Sequence, residues 1–251
     1  MKIIFIGSGS AFTTDNYHSN ILIVSNNKNL LVDCGSDARF ALKDAGYSYE
    51  DIDSIYISHL HADHVGGLEW LGLANKFASL KHKRPLIIGH RNILNDLWNH
   101  CLSGGMETIA SELATLETFF VPQYLDYPGD FLWEGINFQL VKTRHVKNNN
   151  RLMDSYGLFF TTGGRKIFLT TDTTLVMDEF LPYYKQSDLI FHDCETQNLR
   201  SNVHSHYDDL VALPQSIKNK MWLYHYNPGH LPNAEEGGFL GYVQRGQVFK
   251  F

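Results

Sequence analysis

Three imidazoles and a carboxylate fall within six residues of the stretch Ser58-His59-Leu60-His61-Ala62-Asp63-His64-Val65-Gly66-Gly67. Just upstream, residues 52–57 alternate apolar and polar side chains, the pattern of a β-strand. Extended backbone projects residues two apart to one side, so His59 and His61 are able to grip one ion. Gly66 and Gly67, followed by Leu68-Glu69-Trp70-Leu71, predict a bend into a helix, with Asp63 and His64 at the bend facing a second ion. Neutral imidazole nitrogen and carboxylate oxygen suit zinc, and a catalytic zinc keeps one position open for water. The competing reading, a polar loop merely rich in histidine, leaves the metal-ligand spacing at a strand end unexplained.

Two zinc ions need about six to eight donor contacts, and this cluster supplies four. His145, Asp172 and His225 each follow a β-like run and are the candidates for the rest. Asp172 has two carboxylate oxygens and is able to bridge a pair of ions about 3.5–4 Å apart. Taken singly, each has a plain structural reading: a strand-end histidine making one hydrogen bond, or an aspartate capping a turn after Thr170-Thr171.

The elements that must position these residues alternate between strand and helix. A strand at 2–6 ends in Gly7-Ser8-Gly9-Ser10, which lacks the dinucleotide-binding spacing. Residues 21–24 and 29–32 predict a hairpin, and 37–45 a helix closed by Gly46. Helices are expected at 67–80, at 91–101 with Ile93, Leu94, Leu97 and Trp98 on one face, and at 107–116. Strands are expected at 85–89 and 136–141, with a loop tip at Asn148-Asn149-Asn150 and a hairpin of 156–161 with 166–170 about Gly163-Gly164. Residues 189–191 lead into His192-Asp193-Cys194-Glu195, and 222–224 into His225. A closing hairpin of 239–243 and 247–251 is expected around Arg245-Gly246. Strand ends repeatedly deliver a histidine or aspartate, which is how an α/β scaffold gathers a site on rigid supports.

At 251 residues the chain is expected to form one α/β domain over 1–251. A net charge of −6 without any Lys/Arg run argues against a long nucleic acid as partner, but not against a small anion near metal ions. Cys34, Cys101 and Cys194 are odd in number and widely spaced, which fits buried thiols in a reducing compartment rather than a disulfide framework. No apolar run is long enough for a signal peptide or a bilayer span, so a cytoplasmic protein is expected.

The motif resembles that of the metallo-β-lactamase superfamily, whose His-x-His-x-Asp-His is matched by His59, His61, Asp63 and His64. The resemblance implies a four-layer αβ/βα sandwich with metals at one edge. It implies further that His59, His61 and His145 bind one zinc, that Asp63, His64 and His225 bind the other, and that Asp172 is shared. Mn2+ or another divalent ion is compatible with the same donors. Gly7-Ser8-Gly9-Ser10, Asn20, Asp33-Cys34-Gly35 and Gly66-Gly67-Leu68 are similar to segments of the ribonuclease Z branch. His192-Asp193-Cys194-Glu195 resembles its His-Glu-Ala-Thr segment, and His204-Ser205-His206 its His-Ser-Thr segment. That branch assigns the assisting histidine to His204, with His206 as the rival and a helix-flanking role as the alternative for both.

One departure bears on the substrate. Ribonuclease Z carries a tRNA-gripping arm between its third-motif histidine and its bridging aspartate, and only 26 residues separate His145 from Asp172 here. A phosphodiesterase site without that arm is similar to cyclic-nucleotide phosphodiesterases of this fold, most closely the phage-encoded anti-Pycsar family. The resemblance implies metal-assisted hydrolysis of a 3′,5′-cyclic mononucleotide such as cyclic CMP or cyclic UMP. In that scheme Asp63 orients the attacking oxygen, His204 or His206 acts as the acid, and Asp33, Asp193 and Glu195 orient ligands. It implies a homodimer as well. A tRNA 3′-processing endonuclease, a protein that sequesters the nucleotide uncleaved, and a β-lactamase or thioester hydrolase are the alternatives. The aromatics of 119–133 are expected in the core or a dimer contact rather than stacked on the base, and His18, His82, His90, His100 and His230 in structural or surface roles.

Overall fold

A computed structural model describes residues 1–110, 112–148 and 152–251. The expected loop tip at Asn149-Asn150 lies outside the described residues. In the first part of the chain the strands are β1 (Lys2–Phe5), β2 (Ile21–Ser25), β3 (Lys28–Val32), β4 (Ser54–Ile57), β5 (Leu86–His90), β6 (Thr108–Ile109), β7 (Glu112–Leu113) and β8 (Val121–Leu125). They are followed by β9 (Asp130–Trp133), β10 (Ile136–Lys147), β11 (Leu152–Thr162), β12 (Arg165–Leu169), β13 (Leu189–Asp193), β14 (Met221–Tyr224), β15 (Gly241–Tyr242) and β16 (Val248–Lys250). The chain divides into two compact units, one of residues 1–7, 17–126 and 246–250, the other of 8–16, 127–245 and Phe251.

The first unit holds a seven-stranded sheet in the order β16-β1-β2-β3-β4-β5-β8. β16, β1, β2 and β3 pair antiparallel, and β3, β4, β5 and β8 run parallel. All four residues of β4 are buried, as parallel strands covered on both faces require. The β2–β3 connection is Asn26-Asn27 with φ of 48° and 60°, the left-handed pair that a two-residue hairpin turn needs. The expected helix at 37–45 is Ala38–Asp44, with Gly46 at φ 81° beyond its end.

The second unit repeats this plan, with sheet order β15-β14-β13-β12-β11-β10-β9. β9 to β12 pair antiparallel, and β12 to β15 run parallel. The helix Met177–Gln186 packs Phe180 and Tyr184 onto Phe168, with ring centroids 5.7 Å and 5.9 Å apart. Phe168 is fully buried in this cluster together with Ile190, Leu210 and Leu223. Phe168→Ala is therefore expected to destabilise by about 3–5 kcal/mol, read as a lower urea midpoint at unchanged slope.

Three sequence expectations change. The helix expected at 107–116 is not found among the described residues: β6 and β7 pair antiparallel there, and helices Ser103–Met106 and Leu116–Phe119 flank them. Ala114 and Leu116 are buried here, but Leu113 is 73% exposed. The tail is not a hairpin either, because β15 joins β14 in one sheet while β16 joins β1 in the other. β10 continues beyond residue 141 to Lys147, so His145 lies within a strand rather than after one. Phe119, Phe120, Phe131 and Trp133 are buried, in keeping with core roles, whereas Tyr124 is half-buried and Tyr127 exposed.

Cys34 and Cys194 are buried, and burial followed by acidic neighbours pushes both thiols up. Cys101 is exposed. A thiol reagent under native conditions is expected to label Cys101 and spare the other two, with peptide mass mapping as the readout. Among the described residues no helix is long and apolar enough to cross a membrane.

Candidate metal centre

In the first unit, neighbouring parallel strands end on chemistry-bearing residues, the carboxyl edge where open α/β sheets place ligands. β3 runs out at Asp33, which sits at φ 63°, and β4 at Ser58-His59. His61 caps the short helix Ala62–Val65, which carries Asp63 and His64. The loop is strapped to the β3 end: Cys34 N donates to His64 O at 2.7 Å, and Gly67 N to Cys34 O at 2.9 Å. A Cβ at Gly35 would stand 2.1 Å from the Asp63 carbonyl oxygen, so only glycine allows this approach.

Asp33 organises the histidines. Its carboxylate accepts from Ser58 N at 2.8 Å and Ser58 Oγ at 2.7 Å, and lies 2.8 Å from His64 Nδ1. Having given its hydrogen to Asp33, the Ser58 hydroxyl accepts from His59 Nδ1 at 3.0 Å. With Nδ1 donating, each neutral ring presents its Nε2 lone pair on the other side. His59 Nε2 lies 3.2 Å from His61 Nδ1, and His64 Nε2 lies 3.2 Å from Asp63 Oδ2.

The second unit supplies a matching set. His145 occupies a β-bulge: β10 pairs Arg144 with Asp154 and Val146 with Met153, leaving His145 as the extra residue. A bulge of this kind re-aims a side chain out of the strand's alternation. His145 Nδ1 donates to Val203 O at 2.8 Å, and its Nε2 faces Asp172 Oδ2 at 3.7 Å. Asp172 follows β12 through Thr170 and Thr171, the latter at φ 54°, an unusual conformation for a β-branched residue. His225, at φ 61° directly after β14, donates its backbone N–H to Ser8 O at 2.8 Å. Its Nε2 lies 3.3 Å from Asp172 Oδ2 and its Nδ1 3.3 Å from Asp193 Oδ1. Asp172, Asp193, His204 and His225 bring donor atoms within 4.8 Å of one another.

Two ligand atoms about 2.0–2.1 Å from a tetrahedral zinc lie roughly 3.3 Å apart. The facing pairs His59–His61, Asp63–His64 and Asp172–His225 have that separation, and His145–Asp172 is slightly wider. Lone pairs directed at one another across such a gap, with the outer nitrogens of His59, His64, His145 and His225 held by oxygen, suit a divalent cation and its usual orienting shell. The residues fit the metal.

The geometry separates His204 from His206. His204 Nδ1 lies 3.0 Å from Asp193 Oδ2 and 4.0 Å from Asp172 Oδ2, and its ring stacks on His225 at 4.8 Å. Burial works against its charged form, but Asp193 outweighs burial and raises its pKa. Burial would raise Asp193 in turn, yet His204 and then His225 hold it down to about 2. His206 instead caps the helix Tyr207–Val211: its Nδ1 accepts from Asp208 N at 3.2 Å and its Nε2 donates to Gln197 O at 3.0 Å. His18 sits 3.3 Å from Asp37, and His90 caps the helix Arg91–Asp96.

Sequence reasoning gave no role to Ser58, the relay between Asp33 and His59. A small hydroxyl residue immediately before the first strand-end histidine was the available signal. Nor could it find the Val203 carbonyl, whose contact with His145 spans 58 residues.

Comparison with known proteins now adds to the geometry. The model of the family described as anti-Pycsar protein Apyc1 matches residues 1–249. An anti-Pycsar protein Apyc1 of Bacillus phage vB_BsuM-Goe3 is 34% identical over 257 aligned positions, covering 97% of this chain and 93% of that protein. Among solved structures, the metallo-β-lactamase fold protein YhfI of Bacillus subtilis superposes with a TM-score of 0.76 at 21% identity, covering 99% of this chain and 98% of that one. Human tRNase Z, short form, does so with a TM-score of 0.72 at 19% identity, covering 100% and 99%. The α/β fold expected from the histidine motif is thus the metallo-β-lactamase fold.

Proposed function

We propose, since this chain belongs to the anti-Pycsar protein Apyc1 family, that it is a metal-dependent phosphodiesterase acting against Pycsar signalling. Its substrate in this reading is a 3′,5′-cyclic mononucleotide such as cyclic CMP or cyclic UMP, opened to the nucleoside 5′-monophosphate. The observation that carries the reading is the set of facing donors 3.2–3.7 Å apart, with the rings of His59, His64, His145 and His225 each fixed by an oxygen on the other nitrogen.

Within the proposal, His59, His61 and His145 would hold one divalent ion and Asp63, His64 and His225 the other, with Asp172 as a further donor. The ions would supply Lewis-acid charge against the phosphate and an acidified water. The chain's own residues do the remaining work. Asp33 and Ser58 keep His59 and His64 in one tautomer, and the Val203 carbonyl does the same for His145. Asp63 orients the attacking oxygen. As the bond from phosphorus to the 3′ oxygen breaks, His204 delivers the Nε2 proton to that oxygen while Asp193 holds Nδ1. A raised His204 pKa favours the protonated ring that an acid must be.

The described residues from His145 to Asp172 belong mainly to β10, β11 and β12, which supports a small substrate over a gripped tRNA. The proposal also carries the cytoplasmic setting and the homodimer. The test is incubation of metal-loaded protein with a panel of cyclic mono- and dinucleotides and a 3′-extended tRNA precursor, with products resolved by chromatography. Turnover of cyclic mononucleotides is expected; cleavage of the precursor alone would overturn the reading.

A further inference from the structure

The second unit contains a groove of about 830 Å³ whose lining includes none of the proposed metal donors. One wall is the helix Met177–Gln186, which presents Glu179, Pro182, Tyr183 and Gln186. These positions follow the spacing of a single helical face, and from first to last they span about 10 Å. Residues of β10 and β11 and Tyr127 complete the lining.

The chemistry changes along the groove. At one end Arg144 pairs with Glu179 across the gap, with Lys142 and Lys147 also in the lining. Lys142 is held in place by Asp154, 2.7 Å away. The middle is aromatic: Tyr183 and Phe159 meet edge to face at 5.4 Å. Gln186 lies seven residues along the helix from Glu179, and Gln139 five residues back along β10 from Arg144. Gln186 is therefore displaced from the cationic end beyond Tyr183, while Gln139 pairs with Phe159 across β10 and β11 and stands beside the aromatic section.

Cations for a phosphate, ring faces for stacking and amides for a base edge, in that order over about 10 Å, match the parts of one molecule class. Its volume lies within the range of small-ligand sites. We propose that this groove is a second, non-catalytic site for a nucleoside monophosphate. The phosphate displaces Glu179 from Arg144, the base lies against Tyr183 and Phe159, and its polar edge meets Gln139 or Gln186.

Hydrogen exchange of the metal-loaded protein with uridine 5′-monophosphate, and separately with inorganic phosphate, tests this without reference to turnover. Protection of 177–186 by the nucleotide is expected in the wild type. Tyr183→Ala is expected to raise the concentration needed by about tenfold or more, the loss of one stacked base. Tyr183 also touches the core, so Gln186→Ala and Arg144→Gln, at more exposed positions, provide variants that keep the fold. Both are expected to weaken the protection while cyclic-nucleotide turnover stays unchanged. Nucleotide protection confined to the 59–66 loop and the ends of β12 and β14 would overturn the proposal. So would inorganic phosphate protecting the helix at the same concentration as the nucleotide, since the groove would then hold a bare anion only. Loss of turnover in the wild type would refute the phosphodiesterase reading and leave this result standing.

Discussion

Under the proposed function, Asp172→Asn is expected to cut cyclic-nucleotide hydrolysis to about one-thousandth or less and to lower the bound metal below the two ions per chain that this reading assigns. The carboxylate is buried, with His145 Nε2 at 3.7 Å and His225 Nε2 at 3.3 Å from the same oxygen, Oδ2. An amide in its place keeps the shape and loses the negative charge. If the amide turns its NH2 toward these nitrogens, it donates where a cation should sit. Metal-ion charge stabilisation is worth several kcal/mol at the transition state, which corresponds to about 10³-fold or more in rate. Elemental analysis of the purified variant gives the metal count, and circular dichroism separates loss of metal from loss of fold. A variant that keeps two ions and full turnover would show that Asp172 serves as a cap after Thr170-Thr171, the plainer reading of that position. His59→Ala is a companion with the same expected direction, made in the other unit.

Much of this candidate site was legible before the fold, for a physical reason. The residues of 59–64 are close in sequence, and local geometry alone decides which way a strand followed by a single helical turn points its side chains. The β2–β3 turn and the helix closed by Gly46 were legible on the same ground, because Asn26, Asn27 and Gly46 state a backbone conformation rather than a contact. What escaped depends on partners far away in the chain. The bulge at His145 exists only because β10 and β11 change register there, and nothing in the residues around 145 records the alignment of a strand folded against them. The tail failed similarly: two short β-like runs about a glycine suggest a hairpin, yet β15 and β16 each find an older partner strand. At 107–116 a helix was expected, but so short a segment is stable as a helix only when its tertiary partners bury one face, and Leu113 stays in solvent. Left-handed backbone at Asp33, Thr171 and His225 was also unreadable. Three non-glycine residues in that region, all at strand ends that carry the candidate donors, mark where the fold holds a conformation the local sequence would not choose.

His204→Ala and His206→Ala are expected to part company by about two to four orders of magnitude. The two histidines stand two residues apart, so in a strand they would share a face and be interchangeable. The helix Tyr207–Val211 breaks that equivalence, because His206 becomes its cap and commits both ring nitrogens, one to Asp208 N and one to Gln197 O. His206→Ala thus removes a helix cap, at a cost of about 1 kcal/mol in stability, with turnover little changed. His204→Ala removes the group whose Nδ1 is anchored on Asp193 and whose ring stacks on His225. Loss of a general acid costs about 10²–10⁴-fold on a substrate whose leaving group is an alkoxide. The choice of substrate distinguishes an acid from a residue that merely props up its neighbours. A phosphodiester bearing a p-nitrophenolate leaving group needs no proton to depart, so an acid variant should regain most of its rate on that ester, while a structurally damaged site should stay slow on both. Equal loss on the two substrates would assign His204 a positioning role. Loss on transfer of the same substitution to His206 instead would place the acid in the loop before the helix and require His206 to leave its cap during turnover.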